Sequence, residues 1–311
     1  MIFQVAFIAV LVLLLAAVPG YVMIKKKMVS EDCIPGFSKV MIYVCQPCLA
    51  IYTFASATYT PEKLLDLGIF ALISIAINAV MLGGVFLLMR KKHKDAAYRI
   101  MTVATTFANC AFFGIPVIEA VMREAASGLI IYTTVYAVIM NVMGWTVGSA
   151  IISGNAKYIT PKKIFLNPAM IGAVIAFLLF VLQIPIQTDL QNMITITGKM
   201  CTPLSMIIMG MRLATVDLKT IFCDLRIYLT IAVKQIVMPL VGFIMVLFLP
   251  ISYEIKAAFF IICACPVASI VLNFSEMLGE GQKEAASSVL LGTMLSIVTM
   301  PLMMLLLPLL A

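Results

Sequence analysis

Apolar residues along this chain come in long, nearly continuous runs, cut by short clusters of charge, proline and glycine. Cut at those clusters, the runs predict ten membrane spans, at about 2–24, 37–57, 66–89, 97–122, 127–152, 164–183, 189–211, 227–250, 255–278 and 285–310. Lys25-Lys26-Lys27 closes the first run and Arg90-Lys91-Lys92-His93-Lys94-Asp95 the third. A polar linker, Ser153 to Lys163, follows the fifth, and Gly114-Ile115-Pro116 is expected to interrupt the fourth. Outer-membrane strands of about ten alternating residues would read differently. The fold class is all-α and polytopic.

Composition agrees. Of 311 residues 63% are hydrophobic and 11% charged, and the mean hydropathy is +1.14. Soluble domains are about 45–50% apolar and about 25% charged, so a soluble enzyme, a disordered chain and a nucleic-acid-binding domain are excluded. The net charge of +7 is a topology signal instead. Sixteen of the 21 Lys and Arg residues fall in alternate loops on one side, while Lys63, Arg123 and Lys256 fall on the other. The positive-inside rule makes the sixteen cytoplasmic and puts both termini outside a cytoplasmic membrane. Met1-Ile2-Phe3-Gln4 carries no positive charge and the lysines follow the first run, so that run is expected to stay as a span and not be cleaved.

Ten spans divide at the linker into five and five, residues 1–154 and 155–311. Five being odd, two similar halves would be inverted across the membrane, a plan common among secondary transporters. Cys45-Gln46-Pro47-Cys48 in span two parallels Cys201-Thr202-Pro203-Leu204 in span seven, Asn78 parallels Lys234, and Pro116 parallels Pro266. The stretches Asn109 to Pro116 and Cys263 to Ser269 are expected to break spans four and nine in mid-membrane. Backbone groups freed there need protein or water partners, and paired breaks in two halves point to a substrate site. Ordinary proline kinks are the plainer alternative, and Pro47, Pro203 and Pro239 are read that way.

The N–H groups at a broken helix carry partial positive charge and can hold a carboxylate without a fixed cation. Asn109, Gly114, Pro116, Pro266, Ser269 and Asn273 are therefore the candidate contacts for a small organic anion. Asn141, and with it Asn78, either lines the same site or hydrogen-bonds between helices. Lys234, about eight residues into span eight, either faces the crossing of the two breaks or snorkels to the surface. Glu119 and Glu276 are each either a candidate for binding a coupling cation or proton or a surface or capping residue. Lys199, in mid-span seven, suits packing or a dimer contact as well as it suits substrate.

Several stretches now carry a resemblance. Phe165-Leu166-Asn167-Pro168-Ala169-Met170, Thr202-Pro203-Leu204-Ser205, Met209-Gly210-Met211-Arg212-Leu213 and the Asn109…Gly114-Ile115-Pro116 pattern are together similar to the auxin efflux carrier family, over essentially the whole chain. The chain resembles a compact prokaryotic member without the plant proteins' central loop. The resemblance implies ten helices in two inverted repeats, with crossed, proline-broken helices four and nine. It implies a scaffold of helices 1, 2, 6 and 7, expected to form a homodimer, and a moving transport domain of helices 3–5 and 8–10. The implied cargo is an organic anion, auxin in plants and malonate- or malate-like carboxylates in bacteria, with Asn109 at the family's substrate-contacting position. This chain departs in having Asn78 where plant members have Asp, and in lacking their second proline in span nine.

No cofactor is expected, and coupling to sodium or protons is left open. Chemistry in the bilayer would need a base, paired acids or a metal. The one His, His93, lies in a basic loop, and all six Asp residues lie in loops or at span ends. The eight cysteines are expected to pack as small apolar residues, and Gly144 with Gly148 to mark a close helix contact.

Overall fold

The computed structural model describes residues 2–155, 157, 166–216 and 222–311. Among them the chain is helical throughout, and its only β-type pairing is a single bridge between Ala108 and Val267. Among the described residues seven helices are long and apolar enough to cross a membrane: Ile2–Lys25, Glu31–Ala55, Pro61–Lys92, Cys110–Ser153, Thr188–Thr215, Leu225–Leu247 and Gln282–Met304. Pro168–Val181 is a shorter apolar helix, and the start assigned to that span, like most of the linker to Lys163, lies outside the described residues. Two further predicted spans are each made of two shorter pieces. Ala96–Ala104 is followed, after a break, by a turn from Cys110 to Gly114 and helix Ile115–Met122. Tyr253–Ala264 is followed by Ile270–Leu278.

Three prolines share a local device. π-helical turns occupy Met41–Cys45, Cys110–Gly114 and Val233–Val237, and Pro47, Pro116 and Pro239 each lie two residues beyond one of them. Proline has no N–H and its ring collides with the carbonyl four residues back. Widening the preceding turn moves that carbonyl aside and lets the helix continue. Pro116 therefore does not interrupt its span, contrary to the sequence reading. The interruption lies earlier, between Ala104 and Cys110. Pro266 behaves differently: Cys265 before it is extended, with φ −61° and ψ 149°, and helix Tyr253–Ala264 stops there. A residue preceding proline is driven out of the helical region by the ring.

Packing follows residue size. Helix Val18–Lys25 lies against Cys201–Thr215 so closely that a Cβ on Gly20 would overlap the Ile207 carbonyl oxygen, and one on Gly210 that of Ala17. Helix Gln46–Ala55 is held between Pro168–Val181 and Thr188–Lys199. The centre of the molecule is the broken pair: every residue from Ala257 to Val267 is fully buried or nearly so. Gly144 and Gly148 do not oppose another backbone. They make room for the rings of Phe274 and Phe107.

Candidate functional site

The two interruptions meet. The Asn109 N–H donates to the Pro266 carbonyl at 2.9 Å, and the Ala268 N–H donates to the Phe107 carbonyl at 2.9 Å. These reciprocal bonds flank the Ala108–Val267 bridge. They give two stretches of non-helical backbone partners inside the protein, as buried backbone requires.

Lys234 secures one side of the junction. Its side chain is fully buried, and Nζ donates to the Cys263 carbonyl at 2.9 Å and the Cys265 carbonyl at 2.8 Å. Those oxygens belong to the end of helix Tyr253–Ala264, where carbonyls have no intrahelical donor and the helix dipole is negative. Of the two sequence alternatives, snorkelling is ruled out. Nearby, Gln235 donates to the Gly292 carbonyl at 2.6 Å and accepts from the Thr299 hydroxyl at 2.5 Å, fixing the same helix to Gln282–Met304.

A cavity of about 620 Å³ opens beside the crossing. Its walls include Ala108 to Phe112 from the first break and Ala268, Ser269, Ile270 and Asn273 from the second. Across from them stand Met41, Tyr43 and Gln46 on one helix, and Asn167 and Pro168 at the start of another. Ala137, Met140, Asn141 and Trp145 complete it, with Phe274 and Met277. Among the described residues no charged side chain lines it. The polar groups are amides and hydroxyls, together with the first turns of the helical segments that resume at Cys110 and Ile270. The initial N–H groups of such segments lack intrahelical acceptors, so the site offers hydrogen-bond donors and partial positive charge on a mainly apolar, aromatic wall.

The predicted residues separate clearly. Asn109, Asn141, Ser269 and Asn273 line the cavity. Gly114, Pro116 and Pro266 do not: Gly114 lies buried over Cys265, Pro116 sits in the resumed helix, and Pro266 contributes its carbonyl to the crossing. Asn78 is fully buried away from the cavity, donating to the Ser74 carbonyl at 2.7 Å and accepting from the Tyr136 hydroxyl at 3.3 Å. Glu119 is exposed and accepts a long bond from the Tyr52 hydroxyl, 3.4 Å, while Lys199 Nζ lies 5.1 Å from the centre of the Tyr52 ring. Glu276 is ion-paired with Arg212.

Sequence reasoning passed over Gln46, Trp145 and Asn167 as site residues. Asn167 caps its helix, accepting from the Ala169 N–H at 2.9 Å, and donates to Asn141 Oδ1 at 3.2 Å across the cavity. An Asn directly before a proline that opens an apolar run was the available signal for the cap. Nothing in the pattern announced the cross-cavity bond.

A family model described as membrane transport protein matches residues 5–163 and 156–304, nearly the whole chain. The chain belongs to this transporter family, the auxin efflux carriers. No curated protein matches it. Membership makes it a multi-pass membrane transporter, from a family that moves solutes and is not enzymatic. The resemblance drawn from Asn109 to Pro116 and from Asn167-Pro168 therefore named the right family.

Proposed function

We propose that this transporter is a secondary carrier of small carboxylate anions in the cytoplasmic membrane, with the cavity at the crossed breaks as its binding site. The observation that carries the reading is the convergence of two resumed helix starts, with Asn109, Ser269 and Asn273, on one mainly apolar cavity. A carboxylate there accepts from backbone and amide N–H groups, and its apolar part rests on Trp145, Phe274 and Met140.

The chain works as ten spans in two inverted halves, with both termini outside. The contacts support a division of labour. Helices Val18–Lys25 and Cys201–Thr215 hold each other, as do Gln46–Ala55, Pro168–Val181 and Thr188–Lys199, which suits a scaffold and, through it, a homodimer; the Ile2–Leu15 half of the first span packs instead on Gln282–Met304 and Ile115–Met122. The broken helices pack with Pro61–Met89, Ala126–Met143 and Gln282–Met304, which suits a body that moves as a unit in an elevator-like cycle. The cavity lies between the two groups, and the Asn167–Asn141 bond spans them. A sodium- or proton-coupled version of the same transport is the second reading. Glu119, exposed and outside the cavity, is a poor place for a coupling ion to meet substrate.

Uptake of labelled malonate, malate and an indole carboxylate into proteoliposomes, with and without sodium and proton gradients, tests the proposal. Saturable uptake of at least one, competitively inhibited by unlabelled substrate and lost in Asn109→Ala at normal expression, is the expected result. Near-normal uptake by Asn109→Ala contradicts the assigned site, and unsaturable conductance contradicts a carrier.

A further inference from the structure

A second large concavity, of about 700 Å³, lies apart from the crossing, at the end of helix Pro61–Met89 where the chain turns into Ala96–Ala104. One wall is apolar, built from Leu82, Phe86, Met143, Val147 and Ile151. Arg90, His93 and Arg99 stand at its polar end. Its size falls within the range of ligand pockets, about 300–1,000 Å³. Neighbouring apolar side chains Val80, Leu87 and Val147 are exposed.

The polar end is not uniformly available. Arg99 is committed: Nε donates to the Ile152 carbonyl at 2.8 Å, one terminal nitrogen to the His93 carbonyl at 3.0 Å, and the other to Glu280 at 2.7 Å. His93 is bonded to the Thr102 hydroxyl at 2.9 Å and sits edge-on to Phe86. Asp95, the remaining acid nearby, pairs with Arg226. Arg90, Lys91, Lys92 and Lys94 take no part in any ion pair among the described residues. Glu280 and Asp95 are thus already engaged, and Arg90 in the groove wall, with Lys91, Lys94 and the Tyr98-stacked Lys92 beside it in the chain, has no acidic partner among the described residues.

We propose that this groove binds an anionic phospholipid, its phosphate on Arg90 and the adjoining lysines and one acyl chain along Phe86, Val147 and Ile151. A charged head joined to an apolar tail matches both ends of the groove, whereas a soluble anion would leave the apolar wall unused and a zwitterionic lipid would leave the cations uncompensated. The site is independent of the transported substrate.

Gly83 provides a selective probe: it lines the groove, and a Cβ placed on it meets no atom within 4 Å, so there is open space for a side chain to begin there. The experiment is native mass spectrometry of the purified full chain with phosphatidylglycerol, with phosphatidylcholine of the same chains, and with inorganic phosphate. One tightly held phosphatidylglycerol is expected, displaced by neither of the others. Arg90→Gln should weaken it about fivefold, the share of one surface cation, and Gly83→Phe should abolish it, with both variants folded and Arg90→Lys close to wild type. Equal retention of phosphatidylcholine, competition by inorganic phosphate, or undiminished binding in both Arg90→Gln and Gly83→Phe would overturn the proposal.

Discussion

Replacing Lys234 with Met removes the ammonium while keeping most of the side-chain volume. Two buried carbonyls, those of Cys263 and Cys265, then lose their donor at 2.9 and 2.8 Å. An unsatisfied buried acceptor costs about 1–3 kcal/mol, so the pair costs about 2–6 kcal/mol. Against this, the variant no longer buries a cation, whose desolvation costs several kcal/mol in the native protein. The two effects offset in global stability, and only a small shift in melting temperature is expected. They do not offset locally. The end of helix Tyr253–Ala264 and the extended Cys265 lose what fixes them, while the Asn109–Pro266 and Ala268–Phe107 bonds remain. Even about 2 kcal/mol of local opening corresponds to more than tenfold faster amide exchange. Hydrogen–deuterium exchange over residues 263–269, read beside carboxylate uptake, is the assay. Exchange should rise at least tenfold in Lys234→Met and uptake should fall, with distant helices unchanged. Wild-type exchange at the crossing together with wild-type uptake would refute the role given to Lys234.

Other consequences are independent of that lysine. Gly210→Val should prevent helices Val18–Lys25 and Cys201–Thr215 from closing, because even a Cβ overlaps the Ala17 carbonyl; loss of monodisperse protein on size-exclusion chromatography is the expected readout. Asn167→Ala removes the 3.2 Å bond to Asn141 and the cap on Ala169, a loss of about 1–2 kcal/mol that should lower the melting temperature by a few degrees and change the apparent substrate affinity. Burial, and then the Arg99 charge, hold the His93 imidazole below its ordinary value of 6.5. Its protonation is therefore favoured on unfolding, so stability should be complete above pH 6.5 and decline as the pH falls through that range. His93→Gln should flatten the decline between pH 6.5 and 5 in thermal melts.

The sequence was most legible where a single physical constraint dominates. Long apolar runs ended by Lys25-Lys26-Lys27 or Arg90-Lys91-Lys92 mark helices because hydrocarbon leaves the backbone no other partner. Lys234 was legible as a support because a charge placed so deep needs a compensating group. The position of the first break was not. Proline was taken as the breaker, yet Pro116 is accommodated by a widened turn, and the helix parts at Thr105 to Asn109, where no residue type forbids helix. That loop is fixed by long-range bonds from Asn109 to Pro266 and from Ala268 to Phe107, and pairings across more than 150 residues leave little local trace. Asn109, Asn141, Ser269 and Asn273, which line the cavity, stood out because short polar side chains inside apolar runs are conspicuous. Trp145 and Gln46 were missed because an aromatic or amide residue in a span carries the same signature in a lipid belt as in a cavity wall.

The most direct test is a structure of the transporter with a bound carboxylate. Density for the carboxylate group within hydrogen-bond distance of the Asn109 side chain and of the backbone amides at Ala111–Phe112 or Ser269–Ile270, with the apolar end against Trp145, is the result this account predicts. A carboxylate bound elsewhere while that cavity stays empty at saturating concentration would contradict it.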